Sequence, residues 1–233
     1  AVVDGPGCTE EIRSVVVLCH GFGASGEDLV SCAPELYAAA DPSLKNVRFV
    51  FPAAPIQMDP TGLYDSRAWW PIDMVKLQMM MDTGEIRDLR TDRPQLLDQR
   101  REQLTELLTQ IVEENGIEYD KLVLGGFSQG AMLTTEVTLT LPAIIGGLIV
   151  WSGTLLNEVE WKEHAATKAG LPVVQSHGRI DPILPFSGAE LLREMFAANQ
   201  FENRFVEFVG QHTIPREAIN AAAELIARVS ADN

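Results

Sequence analysis

The chain has 233 residues, a formal net charge of −15 and 46% hydrophobic residues. That length suits one α/β domain burying roughly 70% or more of its unfolded surface, and so acidic a balance repels polyanions, which excludes nucleic acid as a partner. No apolar run approaches the roughly 20 residues that span a bilayer, and three cysteines (Cys8, Cys19, Cys32) without metal-like spacing favour a reducing, cytoplasmic setting over a disulfide framework.

Apolar runs and amphipathic stretches alternate along the chain. Strands are predicted at about 15–19, 47–51, 121–125, 147–151, 172–177 and 203–209, and helices at about 27–39, 95–115, 129–140, 186–198 and 215–229. Such alternation specifies a mostly parallel sheet covered by helices on both faces. The first apolar strand runs into His20-Gly21-Phe22-Gly23, a glycine-flanked turn that leaves backbone N–H groups uncovered. Residues 52–94 form a connection too long for an ordinary crossover, and are expected to be functional or lid-like. They carry Trp69-Trp70, Leu77 and Met79-Met80-Met81, which suit an adaptable apolar binding wall and equally a satellite core.

The most informative segment follows. Leu122-Val123-Leu124 leads into Gly126-Phe127-Ser128-Gln129-Gly130, and a helix-compatible stretch comes after it. This is G-x-S-x-G between a strand and a helix, a sharp turn that exposes one serine above a sheet. Glycines at 126 and 130 leave room where a Cβ would collide.

A serine needs a base to take its proton and a third group to orient that base, in the chain order serine, acid, histidine. Asp181-Pro182 lies in the loop after the strand ending at His177-Gly178, and His212 turns off the end of the next strand. Asp181 and His212 therefore converge on the sheet edge that carries Ser128. His177 reads as a satisfied residue at a strand end, with mild consequences if lost, and His164 as part of a solvated polar run. The amides of Phe22 and Gln129 are assigned as oxyanion donors from position. Ile183 and Leu184, carried beside Asp181, are expected to line the pocket with Trp69 and Trp70.

Seven pieces occur in order between about residues 14 and 215: Leu18–Gly23, Phe49–Pro55, Trp69-Trp70, Gly125–Ala131, Ser152-Gly153, His177-Gly178 with Asp181–Pro185, and His212–Ile214. Together they resemble the phospholipase/carboxylesterase family, which includes the acyl-protein thioesterases. Two departures from that pattern are the loop Phe22-Gly23-Ala24-Ser25-Gly26, without the usual Gly-Asp pair, and Val209-Gly210-Gln211-His212, without a second glycine. The resemblance implies an α/β-hydrolase fold without a large cap. It also implies hydrolysis of esters or thioesters with apolar acyl groups, by a Ser128–Asp181–His212 triad that needs no metal or organic cofactor. The expected partner is a small-molecule or lipid-like acyl ester, without stable membrane insertion, and a homodimer stays open. A same-fold peptidase or amidase and a non-catalytic ligand-binding protein are the alternatives.

Overall fold

Strands with apolar residues at consecutive positions can be buried on both faces only inside a layered sheet, and the computed structural model has that arrangement. It describes residues 1–5, 12–40, 43–75, 79 and 88–231. The strands are β1 (Val2–Asp4), β2 (Ser14–Cys19), β3 (Val47–Val50), β4 (Ile56–Gln57), β5 (Arg67–Ala68), β6 (Leu122–Phe127), β7 (Gly147–Trp151), β8 (Pro172–Gly178) and β9 (Glu202–Phe208). Seven of them form one sheet in the order β1-β3-β2-β6-β7-β8-β9, while β4 and β5 make a small separate hairpin. Every pairing in the large sheet is parallel except β1 with β3.

Side-chain alternation divides the core into two layers. Val15, Val17, Cys19, Leu122, Leu124, Leu148 and Val150 face one layer, formed with α2 (Leu97–Asn115), α3 (Gln129–Thr140), α4 (Glu158–Ala165) and α5 (Phe186–Ala198). Val16, Leu18, Val123, Ile149 and Trp151 face the other, under α1 (Cys32–Ala40) and α6 (Arg216–Ser230). Helix α3 is buried at every position from Gln129 to Leu139, as befits the element that follows the central strand β6. Among the described residues no helix is long and apolar enough to cross a membrane.

All six predicted strands and all five predicted helices are present, with small shifts at their ends; the first helix is preceded by a 3-10 turn at Asp28–Ser31. Among the described residues five elements are additions, one of them a 3-10 turn at Tyr119–Lys121. β1 is three residues long and β4 and β5 two each, too short for a period to show. Helix α4 forms within a stretch read as solvated, because Trp161 is fully buried there and its Nε1 donates to Glu136 Oε2 at 2.6 Å. Leu77, Met80, Met81 and Cys8 lie outside the described residues.

The β6–α3 turn passes close to the end of β2. A Cβ on Gly126 would lie 2.4 Å, and one on Gly130 2.1 Å, from the Cys19 carbonyl oxygen. That atom belongs to a strand backbone paired on both sides and cannot retreat. Gly130→Ala should therefore destabilise the protein by about 3 kcal/mol or more, lowering the melting temperature by roughly 6–12 °C. A calorimetric melt indistinguishable from wild type would contradict this account of the turn.

Candidate active site

Ser128 has φ 54° and ψ −117°, a left-handed conformation that costs a non-glycine residue about 1–3 kcal/mol. Two backbone bonds hold it there: Ser128 N–H donates to Trp151 O at 2.9 Å, and Ser128 O accepts from Met132 N–H at 3.1 Å. The residue is 9% exposed. Its hydroxyl makes no hydrogen bond among the described residues, so Oγ stays unpaired at the N-terminal end of α3, where the helix dipole favours negative charge.

His212 and Asp181 arrive by parallel exits from β8 and β9. Arg179 N–H donates to Phe208 O and Ile180 N–H to Gly210 O, tying the two loops together. His212 Nδ1 then lies 2.6 Å from Asp181 Oδ2, the shape of a charge-assisted bond in which Nδ1–H donates and Nε2 is left free. The His212 ring packs on Phe127, the residue before Ser128, at 4.7 Å between centroids, and Ser152 Oγ holds Thr213 O at 3.3 Å. Asp181 Oδ1 accepts the N–H groups of Ile183 (2.8 Å) and Leu184 (2.9 Å). Burial alone would push the Asp181 carboxyl up; the His212 contact and these two amides outweigh it and hold the group below its ordinary range.

His177 stands at the end of β8, as the sequence reading has it, and has a closer neighbour than that reading foresaw. It is fully buried, its Nε2–H donates to Leu184 O at 2.8 Å, and the same nitrogen lies 3.3 Å from Asp181 Oδ2. Its Nδ1 has no partner among the described residues. It is thus a bonded residue at a strand end that also packs against the carboxylate. The spacing His177 to Asp181 within one short loop was the available signal.

The opposite wall is the turn after β2. His20 is 1% exposed, and because its Nε2 accepts from Ala54 N–H at 3.0 Å, the proton must sit on Nδ1, which donates to Gly21 O at 2.8 Å. Among the described residues neither the Phe22 nor the Gln129 amide donates to another protein group. Trp69 and Trp70 are 5% and 4% exposed within the first core layer, which also takes Leu184 at 1% and, partly buried, Ile183. No group of three His, Cys, Asp or Glu that could hold a metal occurs among the described residues.

Comparison with known proteins shows the family and the fold. Residues 8–230 match the model of the phospholipase/carboxylesterase family. The acyl-protein thioesterase 1 of Eremothecium gossypii is 30% identical over 232 residues, covering 93% of this chain and 88% of that protein. The Saccharomyces cerevisiae acyl-protein thioesterase 1 is 25% identical and covers 91% of each. Among solved structures, esterase PE8 superposes with a TM-score of 0.78 at 22% identity over 98% of this chain and 97% of its own. Arabidopsis thaliana SOBER1 follows at 0.69 and 19% identity, over 93% and 98%. At these identities the structural matches establish the fold, that of the α/β-hydrolases.

Burial depresses the pKa values of His20 and His177 below the ordinary 6.5. In the unfolded chain both would take up a proton as the pH falls through about 6.5, while the folded forms resist it. The unfolded state then binds more protons, so stability declines as the pH drops from 7 toward 5. Asp181 acts in a lower window: its depressed value keeps its contribution intact above the ordinary carboxylate range and loses it only below. Melting temperatures measured across pH 5–7 should therefore fall with acid, and less steeply in His177→Gln. An unchanged slope in that variant would mean that His177 is not held neutral.

Proposed function

The chain belongs to the phospholipase/carboxylesterase family, and from that starting point we propose that Ser128, His212 and Asp181 hydrolyse carboxylic esters or thioesters through an acyl-enzyme. Ser128 Oγ attacks the acyl carbon as His212 Nε2 takes its proton. Asp181 Oδ2 holds the Nδ1–H and stabilises the imidazolium that forms. The amides of Phe22 and Gln129 receive the oxyanion. The tetrahedral adduct collapses with cleavage of the C–O or C–S bond, and His212 returns the proton to the departing oxygen or sulfur. Water repeats the sequence on the acyl-enzyme, releasing the carboxylic acid and restoring Ser128.

One observation carries this reading. A strained Ser128 at a strand–helix turn shares a sheet edge with a 2.6 Å His212–Asp181 contact whose free Nε2 faces no other assigned partner. The relatives named acyl-protein thioesterases favour an acyl thioester among the substrates. Ile183, half-buried beside Asp181, is assigned to contact the acyl chain, with Trp70 and Leu184 backing it from the core. Cys19 and Cys32 are buried free thiols, which supports a reducing, cytoplasmic setting.

Ser128→Ala should fold normally, fail to label with a fluorophosphonate, and lose about 10⁴-fold or more in turnover of p-nitrophenyl esters. His212→Ala and Asp181→Asn should each be severe. Adding either to Ser128→Ala should lower activity almost no further, because a triad acts as one unit. Near-normal turnover by Ser128→Ala would sink the mechanism.

A further inference from the structure

The two turns assigned to the oxyanion lie beyond the part of the sheet that could align them. β2 and β6 are paired up to Cys19 and Gly126. Phe22 and Gln129 each sit past that last rung, where no ladder bond fixes their separation. Yet two donors serve one oxyanion only if their spacing is held to a fraction of an ångström.

The segment from Ser66 to Trp70 bridges the gap. At its start it grips the first turn: Gly23 N–H donates to Arg67 O at 2.8 Å, Arg67 N–H to Ala24 O at 3.0 Å, and Ser66 Oγ to Gly23 O at 2.9 Å. The Trp69 ring continues the contact, its Nε1–H donating to His20 O at 2.9 Å. At its end the segment grips the second turn through one side chain. Gln129 Oε1 accepts from Trp69 N–H and Gln129 Nε2 donates to Trp70 O, both at 2.9 Å, as a neighbouring strand would. Arg100 fixes the middle from α2, with Nε donating to Trp69 O at 2.8 Å. Gln129 and His20 are 0% and 1% exposed, so water does not compete for these bonds.

We propose that Ser66–Trp70 is a splint that sets the spacing of the Phe22 and Gln129 amides, with the Trp69 ring and the Gln129 side chain as its positioning residues. The idea rests on the oxyanion assignment made above. Neither side chain touches substrate; each acts through the turn it holds. Their contribution therefore belongs to the transition state, where oxygen becomes an anion, and leaves ground-state binding alone. The same placement gives Trp69 a task other than contacting acyl chains.

An oxygen ester and the matching thionoester, in which sulfur replaces the carbonyl oxygen, separate this role from a merely structural one. Sulfur is a poor hydrogen-bond acceptor, so the thionoester gains little from well-placed amides. Trp69→Phe keeps an aromatic ring and deletes the N–H to His20; Gln129→Met keeps the length and deletes both bonds to the segment. In either variant kcat for the oxygen ester should fall about 10-fold with KM within about 2-fold, a fraction of the 10²–10³ lost with a whole donor. Thionoester turnover should hardly change, so the ratio of the two kcat/KM values should collapse by about 10-fold. Equal losses on both esters, or an unchanged ratio in both variants, would overturn the splint. Wild-type enzyme that showed no preference for the oxygen ester would overturn the oxyanion assignment beneath it. Melting curves identify a variant that has not folded, and the other variant then decides.

Discussion

Everything around the site is arranged to hold one unfavourable backbone conformation. Ser128 at φ 54° would relax if free to do so. It is kept in place from three sides: by the Trp151 carbonyl on β7, by the first turn of α3, and by the near contact of Gly126 and Gly130 with the end of β2. Such strain persists only where neighbours over-determine it. Here the central strands supply that rigidity, since β2, β6 and β7 are buried on both faces and their layers close around them. The depth of the sheet and the placement of one unpaired hydroxyl are thus two aspects of a single packing problem.

How much of this could be read from sequence follows from the range of each interaction. The strands of the parallel sheet were legible because a doubly buried strand needs a continuous apolar run, and the long amphipathic helices because their period is local. The strand–helix turn is legible because G-x-S-x-G is a local pattern, although what its glycines make room for, the Cys19 carbonyl at the end of β2, lies over a hundred positions away. Helix α4 was not: what orders it is a tertiary bond from Trp161 to Glu136, and Glu136 is itself buried and paired with Arg101. Nothing in Glu158–Ala165 alone announces that partner. The approach of His177 to Asp181 was hidden for a similar reason. The two lie 3.3 Å apart, and the four-residue spacing hints at such a contact without saying how the loop folds back.

Gln129 shows the limit most clearly. Its backbone amide was assigned from position in the motif, and the sequence offers no hint that its side chain binds a segment about sixty positions away in the chain. The pattern Trp69-Trp70 invited an acyl-contact reading because exposed aromatics often line pockets. Burial adds weight to the other reading: at 5% and 4% exposure both rings lie within the first core layer, and the Trp69 ring N–H is bonded to the turn after β2. Residue type suggests what a side chain can do, but only its partners say which of those things it does.

Those partners also divide the polar groups of the site into two sets. His20, Gln129, Arg100 and Asp181 are buried and their hydrogen bonds run to named protein groups, which fixes tautomers and orientations before any substrate arrives. The Ser128 hydroxyl and the Phe22 and Gln129 amides, by contrast, are left without protein partners among the described residues. Leaving buried or half-buried donors unmade is unfavourable by about 1–3 kcal/mol each, so the fold would be more stable if a nearby carbonyl turned toward them. That it does not is the expected trade of a site preorganised for charge that exists only in passing. On the proposed assignment of these amides to the oxyanion, donors left free in the resting protein need no rearrangement when the charge forms, whereas satisfied donors would first have to be torn away. Stability is conceded at the atoms that react and recovered in the framework that aims them.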